Sequence, residues 1–519
     1  MAKKFNVTGL CFPHEHYMAD ISKKLEKTIR MVEAGDYFII NRPRQYGKTT
    51  MLYMISDVLQ QKGDYLLLNT SFEGLGDAAF ENEAVFSQEF VELLRRCLKY
   101  DAPQWLDWLV VEKERVISIS RLSDFITDFI GKIDQKVVLL IDEVDKSSNN
   151  QLFVSFLAML RQKYLDRSRA KTFHSVVLAG LHDVKSLKLK LRPNEEQKLN
   201  SPWNIASEYN VDLNFSAAEI KPMLVDYVQE TGVTVDVDWF AQQLFYYTSG
   251  YPFLVSRLCK MIDEHILPTK NTQDWTEKDL ETAVYKLCKE DNTNFESLIK
   301  NLENYPDLYR ITQSILMDGD YLSYNIHDPI VNLGMLHGIF KNGYGVKIHN
   351  RIYEEVIYDY MTSKAKSGVL LSGYYDKMMY RKADNSLNME LVLRKFQVFM
   401  KEQYSIKDAD FVERNGRLLF LAFIKPIING SGFDFKEAQV SEERRLDVVI
   451  TFFNNKYLTE LKIWYGDEAH KKGLGQLADY LDRQGLETGY LLIFDKRKER
   501  DWATKWTRKA GKRIFCVWV

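Results

Sequence analysis

Two groups of side chains in this sequence have the types and spacing to act on phosphates. One runs through Arg42, Pro43, Arg44, Gln45, Tyr46, Gly47, Lys48, Thr49 and Thr50 and is completed by Asp142 and Glu143. The other consists of Asp447, Glu460, Lys462 and Gln476. A glycine followed by lysine and a hydroxyl residue at the start of a helix offers backbone N–H groups, an ammonium and a hydroxyl to phosphate oxygens. Two carboxylates and a lysine on one sheet face can hold a divalent cation through oxygen ligands and offset charge on a phosphate under attack.

The first group needs a strand, a loop and a helix in succession. Residues 37–41 are an apolar run of strand length, and Met51, Leu52, Ile55, Val58 and Leu59 recur at helical spacing behind Lys48. This is the P-loop arrangement, in which Arg44, Gln45, Tyr46 and Gly47 surround phosphates and Lys48 reaches the β and γ positions. Thr49 is the hydroxyl expected to hold Mg²⁺, with Thr50 as the weaker candidate. The loop departs from G-x-x-x-x-G-K-S/T at Arg42, where glycine's freedom at positive φ is lost. Residues 136–141 read as a buried parallel strand that ends in Asp142 and Glu143. Asp142 is expected to hold Mg²⁺ through water and Glu143 to orient the water that attacks the γ-phosphate. ATP and Mg²⁺ are therefore the expected cofactors. Strands are also expected at 175–179, after a helix at 153–163, and later at 209–213. The carboxyl ends of such strands carry the active site, which brings Gly180, Leu181 and His182 toward the phosphates. His182 or Asp183 then either senses the γ-phosphate or belongs to a solvated loop.

Behind this unit the pattern turns helical from 216 to 289, with Ser216 and Thr276 as N-caps paired to Glu219 and Asp279 three residues on. From 306 to 364 two helices precede a turn through Asn342, Gly343, Tyr344 and Gly345 with strand-like residues on both sides, which suits a winged helix. Such a module reads DNA or only packs on its neighbours. In the last part, 444–450 and 456–462 read as paired strands. Glu460 and Lys462 share a face by the two-residue period, and Asp447 can be brought opposite them. Manganese is a further candidate metal there. Lys496, Arg497, Lys498, Arg500, Trp502, Lys505, Trp506, Arg508, Lys509, Lys512 and Arg513 interleave cations and aromatics. They can track a phosphate backbone, or form a solvated helix with two buried tryptophans.

Two resemblances follow from these residues. Residues 42–49, the Asp142-Glu143 pair, 201–206 and Gly250-Tyr251-Pro252-Phe253 resemble the AAA-like and STAND-related bacterial ATPases, in which R-P-R-x-F/Y-G-K-S/T replaces the glycine-first loop. The resemblance implies a helical lid over the nucleotide, with Tyr251 and Pro252 as its contact and Arg257 as a second sensor. The D…E-x-K series of Asp447, Glu460 and Lys462, followed by Gln476 and Tyr480 on a helix, resembles the PD-(D/E)XK nucleases of the RecB-like branch. It implies a metal-dependent deoxyribonuclease site with DNA as partner, and Glu413 as the match to an early-helix glutamate.

The expected fold class is α/β: a P-loop NTPase parallel-sheet domain (1–215), a helical lid (216–300), a winged-helix-like region (301–370) and a C-terminal α/β restriction-endonuclease-like domain (371–519). A chain of 519 residues with 45% hydrophobic and 27% charged residues is globular and multidomain. The formal net charge of -2 leaves nucleic-acid binding to local patches. No stretch approaches the roughly eighteen apolar residues that span a bilayer, and no apolar signal region follows Met1, so a cytoplasmic protein without a membrane partner is expected. Cys11, Cys97, Cys259, Cys288 and Cys516 lack C-x-x-C spacing, and His14 and His16 lack the helical spacing of a zinc pair. Assembly as a homo-oligomer is left open. The function expected is ATP binding and hydrolysis controlling a DNA nuclease. The alternative is a nucleotide-dependent switch or scaffold whose nuclease-like domain binds without cutting.

Overall fold

The structure is a computed structural model. It describes residues 3–144, 151–180, 203, 205–318, 322–325, 327–343, 345–367, 380–382, 384, 386–403, 416, 419–421, 423–424, 427, 432–436, 448–452, 455–464, 466–495, 497 and 502–519. Asp145, Leu181, His182, Asp183, Tyr344, Glu413, Asp447, Lys496, Lys498 and Arg500 lie outside the described residues. The chain divides into two compact units, one of 1–301, 325–341 and 349–353, the other of 302–324, 342–348 and 354–519.

The first unit opens with α1 (Ser22–Glu33), β1 (Tyr37–Asn41), α2 (Lys48–Lys62) and β2 (Tyr65–Ser71). Helices α3 (Glu83–Asp101), α4 (Leu106–Lys113) and α5 (Ile119–Gly131) precede β3 (Lys136–Asp142), α6 (Gln151–Leu165) and β4 (Ser175–Gly180). The strands form a parallel sheet in the order β1-β4-β3-β2. In β3 every residue except Lys136 is buried, as a central strand covered on both faces requires. Helix α2 buries Met51, Leu52, Ile55 and Leu59 against it, while Val58 is half-buried.

The expected strand at 209–213 does not form. Among the described residues, a single parallel bridge, Phe38 to Ser207, extends the sheet beyond β1. The Val211 carbonyl accepts instead from the Arg42 guanidinium at 2.6 Å, and Tyr209 stacks flat on Phe38 at 5.5 Å. A side chain has taken a carbonyl that a ladder would otherwise use.

Helices α7 (Ala217–Thr231), α8 (Val237–Thr248), α9 (Pro252–Met261), α10 (Glu277–Cys288) and α11 (Thr293–Asn304) follow. Both anticipated capping boxes are present, Ser216 with Glu219 and Thr276 with Asp279. The first satisfies two donors at a helix start, which is worth about 1 kcal/mol, and in the second the Thr276 N–H donates to Asp279 Oδ2 at 2.8 Å. Gly250 is obligatory: it has φ 75°, and a Cβ there would lie 1.8 Å from the Phe215 carbonyl oxygen. Pro252 then occupies the first turn of α9, where its missing N–H costs nothing. After α12 (Pro306–Gln313) come α13 (Pro329–Leu336), the short strands β5 (Phe340–Gly343) and β6 (Gly345–Ile348), and α14 (Arg351–Ser367). Among the described residues no helix is long and apolar enough to cross a membrane.

The rest of the second unit is built on a mixed sheet ordered β11-β12-β10-β9-β8-β7. Its elements run α15 (Met389–Gln403), β7 (Gly432–Lys436), β8 (Val448–Phe452), β9 (Asn455–Ile463), α16 (Asp467–Arg483), β10 (Thr488–Phe494), β11 (Thr504–Lys509) and β12 (Lys512–Trp518). Strands β9, β10 and β12 are mutually parallel in that order, and β8 pairs antiparallel with β9, as the spacing of 444–462 anticipated. Leu474, Leu477, Ala478 and Leu481 of α16 cover the sheet face carrying Leu458, Leu491, Ile514 and Cys516. The alternate residues Tyr457 and Phe515 point to the opposite face, where Phe515 lies under Arg394 of α15.

Candidate functional site

The first site forms where β1 hands the chain to α2. Arg42 occupies the position of the missing glycine, and its guanidinium donates to the carbonyls of Asn41 (2.7 Å) and Val211 (2.6 Å). It therefore fixes the base of the loop. The left-handed backbone that the loop needs falls at Gln45 (φ 56°) and Gly47 (φ 77°), past the anomalous arginine. Gln45 carries a side chain there at some conformational cost, and its Nε2 reaches Thr293 Oγ1 only at 3.4 Å. Arg44 is exposed, whereas Tyr46 is 4% exposed.

Lys48 Nζ donates to the carbonyls of Arg42 (3.0 Å) and Pro43 (2.9 Å), so its ammonium lies along the inside of the loop. Thr49 Oγ1 donates to Asp142 Oδ2 at 2.5 Å and joins α2 to the end of β3. Asp142 Oδ1 accepts from the N–H of Glu143, which has φ 53°. That turn directs the half-buried Glu143 away from the strand line. A hydroxyl and a carboxylate side by side, next to a lysine and a helix N-terminus, form a hard-oxygen donor set suited to Mg²⁺ on a polyphosphate. Thr50 has a different task, because its Oγ1 accepts from the N–H of Cys11 at 3.3 Å in the N-terminal segment.

Tyr251 of the Gly-Tyr-Pro element reaches the same loop: its hydroxyl donates to the Arg44 carbonyl at 2.6 Å, and its ring meets Tyr46 edge-on at 4.5 Å. Arg257 is held elsewhere, with Nε donating to Glu290 Oε2 at 2.9 Å. His16 is buried, and its Nδ1 accepts from the Phe12 N–H at 2.9 Å, a hydrogen bond local to its own turn. Its pKa is lowered, chiefly by burial. Sequence reasoning missed Asn294, His349, Asn350 and Tyr353. His349 Nε2 lies 2.8 Å from the Tyr46 hydroxyl. Burial, with Lys341 nearby, pushes the His349 pKa down to about 3, so the ring is neutral. The one local signal was Asn350, an N-cap residue directly before a helix.

In the second unit Glu460 and Lys462 face the same side of β9, with Lys462 Nζ 2.7 Å from Glu460 Oε1. Lys462 also donates to Gln476 Oε1 of α16 at 2.9 Å. Glu460 is 6% exposed. Gly473 on α16 makes room for the lysine, since a Cβ there would lie 3.3 Å from Lys462 Cε. Strand β8 begins at Val448, opposite Thr459, one residue after Asp447. Among the described residues no three His, Cys, Asp or Glu side chains gather as a metal cluster. Residues 504–509 of the basic-aromatic stretch form an edge strand rather than a helix: Lys505, Trp506, Arg508 and Lys509 are exposed on β11, which pairs antiparallel with β12. Trp506 is 39% exposed, so it is not one of two buried tryptophans.

The four-stranded parallel sheet, the strand-loop-helix at Lys48 and the carboxylate at the end of the central strand define an α/β P-loop nucleotide-binding fold. A family model for the AAA-like domain matches residues 15–354, and the chain belongs to that family. Similar solved structures include the Thermotoga maritima RuvB Holliday junction branch migration motor, at 15% identity over 66% of this chain and 95% of that one, with a TM-score of 0.35. The Aeropyrum pernix ORC2 protein, in its ADPNP-ADP complexes, matches at 12% identity over 66% of this chain and 93% of that one, with a TM-score of 0.38. No curated protein gives a match.

Proposed function

We propose that the chain binds and hydrolyses ATP, and that its nucleotide state controls a metal-dependent DNA-cleaving site at Asp447, Glu460, Lys462 and Gln476. The observation that carries the first half is the 2.5 Å contact of Thr49 with Asp142 beside Lys48. In this reading the N–H groups at the start of α2 bind phosphate oxygens, and the Lys48 ammonium exchanges the Arg42 and Pro43 carbonyls for the β- and γ-phosphates. Thr49 and Asp142 would hold Mg²⁺, which when bound offsets phosphate charge. Glu143 orients the attacking water and accepts its proton.

The second half is supported by the Glu460, Lys462 and Gln476 arrangement on β9 and α16. Glu460 and Asp447 would hold Mg²⁺ or Mn²⁺, and Lys462 would steady charge on the scissile phosphate. The test is cleavage of supercoiled and single-stranded DNA with either metal, with and without ATP. Loss of cleavage in both Lys48→Ala and Lys462→Ala fits the proposal, and unchanged cleavage in Lys48→Ala removes control by ATP. One observation favours a second reading, a nucleotide-dependent switch that binds without cutting: the Lys462 ammonium is already engaged by Glu460 and Gln476. That reading predicts no cleavage by the unmodified chain under any condition, and an altered partner affinity in Glu143→Gln.

A further inference from the structure

Gln45, one of the left-handed residues of the phosphate-binding loop, is bracketed by two hydrogen-bond chains, one beginning at the N-cap of α14 and the other in its first turn. Asn350 caps that helix: its Oδ1 accepts from the N–H of Tyr353 at 2.8 Å. The orientation of the Asn350 amide is thereby set, and its Nδ2 donates to His349 Nδ1 at 3.2 Å. The histidine proton must then sit on Nε2, which donates to the Tyr46 hydroxyl at 2.8 Å. Tyr46 passes its own proton donation to Asn214 Oδ1 at 2.6 Å. The second chain starts at the Tyr353 hydroxyl, which donates to Asn294 Oδ1 at 2.8 Å. Asn294 Nδ2 donates to the Tyr251 hydroxyl at 3.3 Å, and Tyr251 donates to the Arg44 carbonyl at 2.6 Å.

Each donor and acceptor in the two chains has one consistent role, and the directions agree from helix to loop. Tyr46, Tyr251, Asn294, His349, Asn350 and Tyr353 are each at most 5% exposed. Buried polar groups cost free energy that apolar side chains of the same shape would not, so packing alone gives no reason for this set. What it supplies is geometric control, with one anchor on Arg44 and one on Tyr46, on either side of Gln45. The cavity bordered by Arg44, Tyr251, Asn294 and Tyr353 measures about 20 Å³, room for a water but not for a ligand. The cluster is therefore part of the loop's support rather than a second binding pocket.

We propose that His349 is a positioning residue for the phosphate-binding loop: through the Tyr46 hydroxyl it holds the Gln45-to-Gly47 turn in the shape that admits a nucleotide's phosphates. This rests on the reading of that loop as the ATP site. The test uses the full chain, with ATP and Mg²⁺ affinity measured by calorimetry and turnover measured alongside. Tyr46→Phe and His349→Phe are each expected to weaken ATP binding about tenfold. The Tyr46→Phe/His349→Phe double variant is expected to lose no more than the worse single one, because both break the same link. KM should rise while kcat holds within about twofold. His349→Gln, whose amide N–H reaches the place of Nε2, should recover most of the affinity.

Three results overturn the proposal: unchanged affinity with a lowered unfolding midpoint, losses that add in the double variant, or no recovery in His349→Gln. If His349→Phe does not fold, Tyr46→Phe and His349→Gln still decide it. An unmodified chain that binds ATP no better than Lys48→Ala would remove the underlying reading, and the variants would not be needed to show it.

Discussion

The two candidate sites are assembled over very different sequence distances. At the nucleotide loop, Thr49 meets Asp142 across 93 positions, Tyr251 meets Arg44 across 207, and Tyr46 meets His349 across 303. In the second unit, Lys462 meets Gln476 across 14 positions, and Glu460 and Lys462 are two residues apart on one strand. A site built from one strand and the next helix needs only correct local structure. A site built from a sheet, the Gly-Tyr-Pro element and a distant helix cap needs the whole unit folded.

That contrast can be broken or sharpened by experiment. The largest expected effect is at the compact site: under the proposed nuclease reading, Lys462→Ala should lower metal-dependent DNA cleavage by about 10² to 10³, measured on single-stranded and supercoiled substrates. Full activity in this variant would leave the strand-and-helix site without a role. Gly250→Ala tests the dispersed site from a distance, since the new Cβ collides with the Phe215 carbonyl. A loss of about 3 kcal/mol of stability is expected in urea unfolding. A change of only a few tenths would show that the backbone at Phe215 can move without cost.

The third effect concerns pH. His349 is held neutral in the folded chain among Tyr46, Tyr251, Tyr353 and Lys341, with a pKa near 3 against an ordinary value of 6.5. Its unfolded form takes up a proton that the folded form refuses. The stability it secures is complete above about pH 6.5 and drains away as the pH falls toward 3, by at most about 1.4 kcal/mol per unit. His16 and His174, whose pKa values are also lowered mainly by burial, add slope of the same sign. Unfolding midpoints from pH 7.5 down to 4.5 should therefore fall less steeply in His349→Gln. An identical slope would mean that the imidazole is not kept neutral. The smallest effect is Gln45→Gly, which relieves a left-handed side-chain residue and should stabilise the unit by up to about 1 kcal/mol. A destabilised variant would show that the Gln45 side chain contributes more than its long contact to Thr293 suggests.

Much of the frame could be read from short-range pattern. The buried strand before Asp142, the amphipathic helix behind Lys48, both capping boxes, and the pairing of 448–452 with 455–463 follow from periods and cap residues that act within a few positions. The stretch at 209–213 misled because alternation signals a chain able to form a strand, not one that finds a ladder partner, and Arg42 claimed its carbonyl. The basic stretch at 504–509 misled in the opposite way, since its cations hide the two-residue period of an edge strand. Arg257 was matched to a sensor by its place after the Gly-Tyr-Pro element, but its charge is taken by Glu290.

By itself, then, the sequence determined which residues are candidates for phosphate chemistry, because Gly47, Lys48, Thr49, Asp142, Glu460 and Lys462 stand out by type and local spacing. Tertiary structure alone decided how the loop is held. Asn294, His349 and Tyr353 are ordinary residues in their local contexts, and their roles exist only once folding has buried them where each polar group must find a partner.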